Sequence, residues 1–360
     1  MEPDLSIIIP TYNEESTVAQ IVYEINGLLK HTDITFEILV VDDNSPDKTG
    51  FIINEMSAFF PVRLITRTTD PGLSQSVIEG FGKARGKVII VTDSDGSHDI
   101  LIIPQMYQEI KNGTDIVVGS RYCVGGGIKD WPIKRRVISW GATFLSKILF
   151  PCCSDPISGF FGVKKELVFH APLKSCGYKI LLEILGKSYW HTISEIPYVF
   201  QNRKAGISKL RPKTIFEFVR QLYSVALFPG RARKEVTKIK KFAVVGISGI
   251  FINMIILAML KEWFSVPLVG ASFIAIELSI ISNFVLNDNY TFRGEKNDKS
   301  WLHRLFSFNA VSVGGMLINV VVLALLSTVG VWYIIGNFVG ILVGFGWNFI
   351  GNRRLTWGKN

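Results

Sequence analysis

The sequence predicts an α/β domain with a mostly parallel sheet and helices on both faces, followed by an all-α domain of four transmembrane helices. Three observations carry this prediction. Short apolar runs alternate with helix-period segments over residues 1 to 211, the pattern of a sheet covered by crossover helices. Long uncharged runs then dominate residues 242 to 350. The net charge of +9 is concentrated beside those runs, which favours an anionic membrane surface over nucleic acid as the partner.

The elements follow in order. "LSIIIP" (5–10) is a continuous apolar run closed by Pro10, as a strand buried on both faces requires. A loop and a helix follow, with Val18, Ile21, Val22 and Ile25 on one face. "EILVVDD" (37–43) is the second strand, and "NSPDKTG" is turn chemistry. "VRLITR" (62–67), "VIIVTD" (88–93) and "DIVVGSR" (115–121) are further strands, with a helix over "GLSQSVIEGFGKA" (72–84).

Three strands end in polar groups: Pro10–Tyr12–Glu14, Asp42–Asp43 and Asp93–Asp95. In open parallel sheets, ligands bind outside the C-terminal strand ends. The chain lacks a GxGxxG after its first strand and lacks a Walker lysine, so dinucleotide and P-loop readings are weak. An EF-hand counted from Asp93 would place His98 and Pro104 where glycine and glutamate belong, and fails. The D-x-D of Asp93 and Asp95 instead reads as a bridge through Mg²⁺ or Mn²⁺ to a diphosphate.

Four spans are predicted at about 242–260, 268–286, 305–326 and 334–350, each close to the ~20 residues that cross hydrocarbon as a helix. Lysines and arginines crowd the loops before the first span, between the second and third, and after the fourth. The positive-inside rule then puts both termini and the α/β domain in the cytoplasm of a multi-pass cell-membrane protein. The spans repeat: "FAVVGISGIFINMIILAML" aligns with "FNAVSVGGMLINVVVLALL" 66 positions later, and "NFVLNDNYTF" with "NFIGNRRLTW". Hydropathy alone does not produce the matched asparagines. Glu277, inside the second span, is expected to face protein or water. Cys123, Cys152, Cys153 and Cys176 show no metal spacing and read as reduced thiols. The start, "MEPDLSIIIP", does not read as a cleavable signal.

"SIIIPTYNE", "VVDDNSPDKTG", "VTDSDGSHD", "GSRY", "DPISGFFGV", "GYKILLEIL" and "RKAGISKL" together resemble the polyprenyl-phosphate (dolichyl-phosphate) mannosyltransferases of glycosyltransferase family 2, over roughly residues 4 to 210. The membrane half resembles the GtrA-like four-helix domain. The resemblance implies a GT-A (Rossmann-like) catalytic domain at 1–211, a juxtamembrane interfacial helix and linker at 212–238, and a membrane domain at 239–360. It implies inverting transfer of mannose from GDP-mannose to dolichyl or polyprenyl phosphate with Mg²⁺ or Mn²⁺, and leaves homo-oligomer formation open. The catalytic positions it implies are Asp93, Asp95 and Arg121.

By the same resemblance, the nucleotide sugar would contact Pro10, Tyr12, Glu14, Val41, Asp43, Asp93, Ser94, Asp95, Arg203 and Lys209. The acceptor phosphate would meet Arg121, Arg135 and Ser139, and the metal Asp95, Asp93 and Ser97. The chain departs from the family's D-A-D-L-Q-H, in which Gln shares the metal, by carrying Gly96 and Ser97. Two stretches, 131–150 and 213–228, mix bulky apolar residues with basic ones, as helices lying in a membrane interface do. The competing readings are a glucosyl- or N-acetylhexosaminyltransferase using a UDP-sugar, a lipid-linked sugar flippase, and a non-catalytic membrane sensor.

Overall fold

A computed structural model of the chain describes residues 2–174, 179–201, 212–295 and 297–358. It divides into two compact units, Met1–Arg233 and Lys234–Asn360.

The first unit holds strands β1 (Leu5–Thr11), β2 (Phe36–Asp42), β3 (Val62–Thr66), β4 (Val88–Val91), β5 (Ile116–Ser120), β6 (Gly127–Ile128), β7 (Phe161–Lys164), β8 (Ile193–Pro197) and β9 (Val199–Phe200). Its helices are α1 (Val18–Leu29), α2 (Thr49–Met56), α3 (Leu73–Lys83), α4 (Ile103–Lys111), α5 (Ile133–Leu149), α6 (Lys165–Phe169), α7 (Ile180–Lys187) and α8 (Pro212–Leu227). Seven strands form one sheet in the order β3-β2-β1-β4-β7-β5-β8, and β6 and β9 form a small second one. β1 pairs in parallel with β2 and β4, and every residue of β1 is buried.

Alternation of side chains along β1 puts helices on both faces. Leu5, Ile7 and Ile9 join a core with Val18, Ile21 and Ile25 of α1 and Met106 and Ile110 of α4. Ile8 points the other way, where α3 packs on it at Gly80. The departure from the expected parallel order is β7, inserted antiparallel between β4 and β5. Strand β4 also stops at Val91, so Asp93 and Asp95 belong to the loop beyond it.

At the other end of the sheet, Asp115 ties β5, β7 and β8 together. It accepts from Lys164 Nζ at 2.7 Å and from the backbone N–H of His191 and Thr192 at 2.7 and 3.1 Å. Burial acts to raise its pKa, but these donors outweigh burial and bring the carboxyl down to about 2. A depressed carboxyl stabilises the fold above its unfolded pKa of about 4, and that contribution disappears as pH falls toward 2. Asp115→Asn should therefore cost about 1 kcal/mol at pH 7. In thermal unfolding of the detergent-solubilised chain, the gap between wild type and variant should close between about pH 4 and 2.

The second unit is helical. α9 (Arg231–Glu262), which begins just before it, α10 (Leu268–Leu286), α11 (Trp301–Thr328) and α12 (Tyr333–Gly351) are long and apolar enough to cross a membrane. α10 and α12 each end in a π-helical turn, Asn287–Thr291 and Asn352–Thr356. The sequence repeat is present in the packing. Gly249 abuts the Asn283 amide and Gly315 the Asn348 amide, so closely that a Cβ at either glycine would overlap the amide. Buried small residues recur at matching places, Ala271, Ala275 and Ser279 on α10 and Gly336, Gly340 and Gly344 on α12. Such residues let helix backbones approach where lipid supplies no hydrophobic drive. The repeated aromatics Phe292 and Trp357 stack at 4.2 Å between the two halves.

Candidate active site

The sheet order reverses between β1 and β4, since the chain builds outward to β3 and then returns to the other side of β1. Crevices at such a reversal hold ligands. Around it lie the loop after β1, with Tyr12 and Glu14, and the loop after β4, with Asp93 to Asp99.

Loop 11–17 is stitched to loop 43–49. Backbone N–H groups of Asn13, Glu14 and Glu15 donate to the Ser45 hydroxyl, the Thr49 hydroxyl and the Asp47 carboxylate. Asp42 binds Thr11 and Ser45, which closes the base of this arch. Pro10 and Val41 are buried beneath it, while Tyr12 is 44 % exposed at its mouth. Glu14 turns its carboxylate toward Thr17 at 3.0 Å.

Asp43 sits where the sequence expects it but is already engaged. Its Oδ1 accepts from Arg67 and Ser76, and its Oδ2 from the Gly72 backbone at 2.7 Å. In place of an open acceptor for a base or ribose, the structure has a clamp holding the start of α3. Arg203 and Lys209 lie outside the described residues.

The D-x-D loop is held by His98. Asp93 donates its N–H to His98 Nδ1 at 3.1 Å, so that nitrogen is the acceptor and Nε2 carries the proton. Nε2 lies 3.6 Å from Asp93 Oδ2. The ring stacks on Phe160 and is edged by Tyr198 and Phe200. Burial pushes the imidazole below its usual pKa, against the pull of Asp93 and Asp95, which keeps it neutral. Gly96 adopts φ +70°, a left-handed turn that lets Ser97 N–H reach back to Asp95 Oδ1 at 3.0 Å. A leucine, as the related motif carries, would be strained there. Ser94 and Asp95 are buried, and the Ser97 hydroxyl is fully buried without a hydrogen-bond partner. No group of three His, Cys, Asp or Glu side chains positioned for a metal occurs among the described residues.

Arg121 closes the other side. It is buried, and its Nε and Nη2 fork onto Asp155 at 2.7 and 2.8 Å. Burial opposes its charge, but the Asp155 carboxylate more than compensates and raises its pKa above the ordinary arginine value. Asp155 is itself fixed by its backbone N–H to Glu195, which also binds Ser154. Arg121, which the resemblance implies at the acceptor phosphate, is therefore half of a rigid ion pair.

Arg121 lines a cleft of about 410 Å³ together with Tyr122, Ile128, Arg136, Val137 and Trp140. Ser139 hydrogen-bonds the Tyr122 hydroxyl at 3.0 Å at its edge. Arg135 lies over the Trp131 ring at 3.9 Å, and its neighbour Arg136 is the one that faces the cleft. α5 exposes Ile133, Val137, Trp140 and Leu145, and α8 exposes Phe216, Val219, Tyr223 and Leu227. Exposed apolar stripes of this kind are surfaces that a partner or a membrane interface would cover.

Asp155, Glu195 and Arg136 were not singled out from the sequence. Asp155 had a visible signal, since it opens "DPISGFFGV", but its partner lies 34 positions away. Glu195 had none.

Comparison with known proteins places the chain in a family. The glycosyl transferase family 2 profile matches residues 6–169, and the GtrA/DPMS transmembrane domain profile matches residues 241–357. The dolichol-phosphate mannosyltransferase of Pyrococcus furiosus is 40% identical over 356 residues, 98% of this chain and 99% of that one. The polyprenol monophosphomannose synthase of Mycolicibacterium smegmatis is 33% identical over 59% of this chain and 82% of its own. Among solved structures, glucosyl-3-phosphoglycerate synthase from Mycobacterium tuberculosis, crystallised with Mn²⁺, UDP-glucose and phosphoglyceric acid, aligns at TM-score 0.49 and 21% identity. That alignment covers 63% of this chain and 81% of that one. The chain belongs to glycosyltransferase family 2 and, over nearly its full length, to the dolichol-phosphate mannosyltransferase family, with a GtrA-type membrane domain.

Proposed function

We propose that this protein transfers mannose from GDP-mannose to the phosphate of a dolichyl or polyprenyl lipid at the cytoplasmic face of the membrane, with inversion at the anomeric carbon. The observation that carries this reading is a cleft in which the buried Arg121 meets Val137 and Trp140, two exposed apolar residues of α5. A lipid phosphate entering along α5 meets a fixed guanidinium before it meets the donor. The near full-length kinship to a dolichol-phosphate mannosyltransferase supports the substrate pair.

The acceptor is a phosphomonoester with a second pKa near ~6, so it is already an anionic nucleophile at cytoplasmic pH. No protein base has to deprotonate it. The protein's task is to bring two anions together in line and to stabilise the departing diphosphate. Arg121, held by Asp155, orients the acceptor; Arg136 and Ser139 border its path. The arch of loops 11–17 and 43–49 receives the nucleoside.

The residues present fit a hard divalent cation. Asp93 and Asp95 supply carboxylate oxygens, and the partnerless buried hydroxyl of Ser97 is a group whose cost a ligand would remove. Two carboxylates with substrate phosphates completing the sphere is the usual arrangement for Mg²⁺. When bound, the ion acts as a Lewis acid on the leaving diphosphate. His98 fixes the backbone of Asp93 through one hydrogen bond and sets a neutral imidazole N–H 3.6 Å from its carboxylate.

The test is a matrix of donors and metals, measured as labelled transfer to dolichyl phosphate by the purified full chain. GDP-mannose with Mg²⁺ or Mn²⁺ is expected to turn over at least about a hundredfold faster than UDP-glucose, well inside the ~10⁴–10⁵ that a site hydrogen-bonding its own substrate can reach. Turnover of UDP-glucose with none of GDP-mannose would overturn the donor assignment.

A further inference from the structure

We propose that the membrane unit carries a self-association face, on which Glu277 of α10 and Asn309 of α11 pair with the same two residues of a second copy of this chain. Glu277 is nine residues from either end of the 268–286 span, about 13.5 Å along a helix, and so lies near the middle of the hydrocarbon. The sequence leads one to expect it against protein or water, and within the single chain it is exposed. One bond relieves it: Asn309 Nδ2 donates to Glu277 Oε2 at 3.2 Å. No other hydrogen bond to Glu277 occurs among the described residues.

A carboxyl at this depth is expensive unless its oxygens find donors. The internal repeat supplies a control. By the 65- and 66-residue offsets, Glu277 corresponds to Leu342 and Asn309 to Ala243. Other polar positions are kept in both halves, Asn253 with Asn319 and Asn283 with Asn348. The repeat therefore carries Glu and Asn at these positions in one half and Leu and Ala in the other, so the repeated fold does not require the polar version. What the polar version adds is self-complementarity. A two-fold axis through the pair gives each Glu277 the second amide hydrogen of the opposite Asn309. The surround is apolar, with Phe273 one turn away on α10 and Phe306 and Val313 exposed on α11. Polar pairs inside an apolar rim are how helices associate in lipid.

The experiment labels the full chain with one fluorophore, reconstitutes it in liposomes over a range of protein-to-lipid ratios, and counts photobleaching steps. Wild type should pass from one to two steps as the ratio rises. The variant Glu277→Leu/Asn309→Ala, which copies residues the other half already accommodates, should need about tenfold more protein or beyond for half-association. Adding Ala243→Asn/Leu342→Glu to it should restore association through the opposite face. Retained mannosyl transfer reports folding, and Asn309→Ala alone, expected to weaken association in the same direction, covers a misfolded double variant. Single steps for wild type at every ratio would overturn the proposal, as would undiminished association of the variants.

Discussion

Replacing Asp155 by Ala is expected to abolish measurable mannosyl transfer and to destabilise the catalytic unit by about 3–5 kcal/mol, the cost of leaving one partner of a buried ion pair uncompensated. The guanidinium of Arg121 is buried, and Asp155 supplies both fork contacts and accepts the Arg121 backbone N–H at 3.2 Å as well. Loss of activity alone would not separate a collapsed fold from a missing cation, so the informative variant removes both charges. Arg121→Met/Asp155→Leu replaces the pair with apolar groups of similar volume, a change that is often neutral or stabilising. We expect that protein to unfold near the wild-type temperature while kcat/KM stays about 10²–10³-fold down, the loss typical when one electrostatic stabiliser is removed from a site. Arg121→Lys keeps the charge but not the fork, and should fall between the two. Activity within about tenfold of wild type in the double variant would take Arg121 out of the reaction.

That pair also marks the boundary of what could be read from the sequence. β1, β2 and β4 were legible because a strand buried on both faces has to be a continuous apolar run, and their polar ends followed. The membrane helices were legible because hydrocarbon permits so few structures, and the repeat because it conserves asparagines that hydropathy does not demand. β7 was not legible. It has four residues, runs against its neighbours and sits inside a stretch recognisable only as a motif.

Side-chain pairing was hidden for a different reason. Asp43 and Arg121 occupy the positions expected of them, but whether a charge faces a ligand or a neighbour depends on contacts 24 to 34 positions away. Nothing in local pattern encodes those contacts. Glu277 shows the same limit in the membrane: its cost was evident, its partner Asn309, 32 positions away, was not.

Asp95→Asn should reduce turnover by about a thousandfold or more, and its effect on nucleotide binding should change sign with the metal. Asparagine keeps an oxygen for the Ser97 N–H, so the turn at Gly96 survives, and only the charge and one anionic ligand are lost. Without a divalent ion, Asp93 and Asp95 present negative charge to a diphosphate, and removing one carboxylate relieves repulsion. With the ion, the same carboxylate is part of what attracts the diphosphate. GDP affinity should thus rise slightly in chelator for the variant and fall at least about tenfold in Mn²⁺, read by calorimetry on the full chain. Asp93→Asn should follow the same signs with smaller amplitude, because His98 still fixes its backbone. A purely structural role for Asp95 predicts weaker binding under both conditions, and so does any distortion of the loop. Only a carboxylate that meets the diphosphate through a cation produces opposite signs, which makes the binding pair a sharper discriminator than the loss of turnover itself.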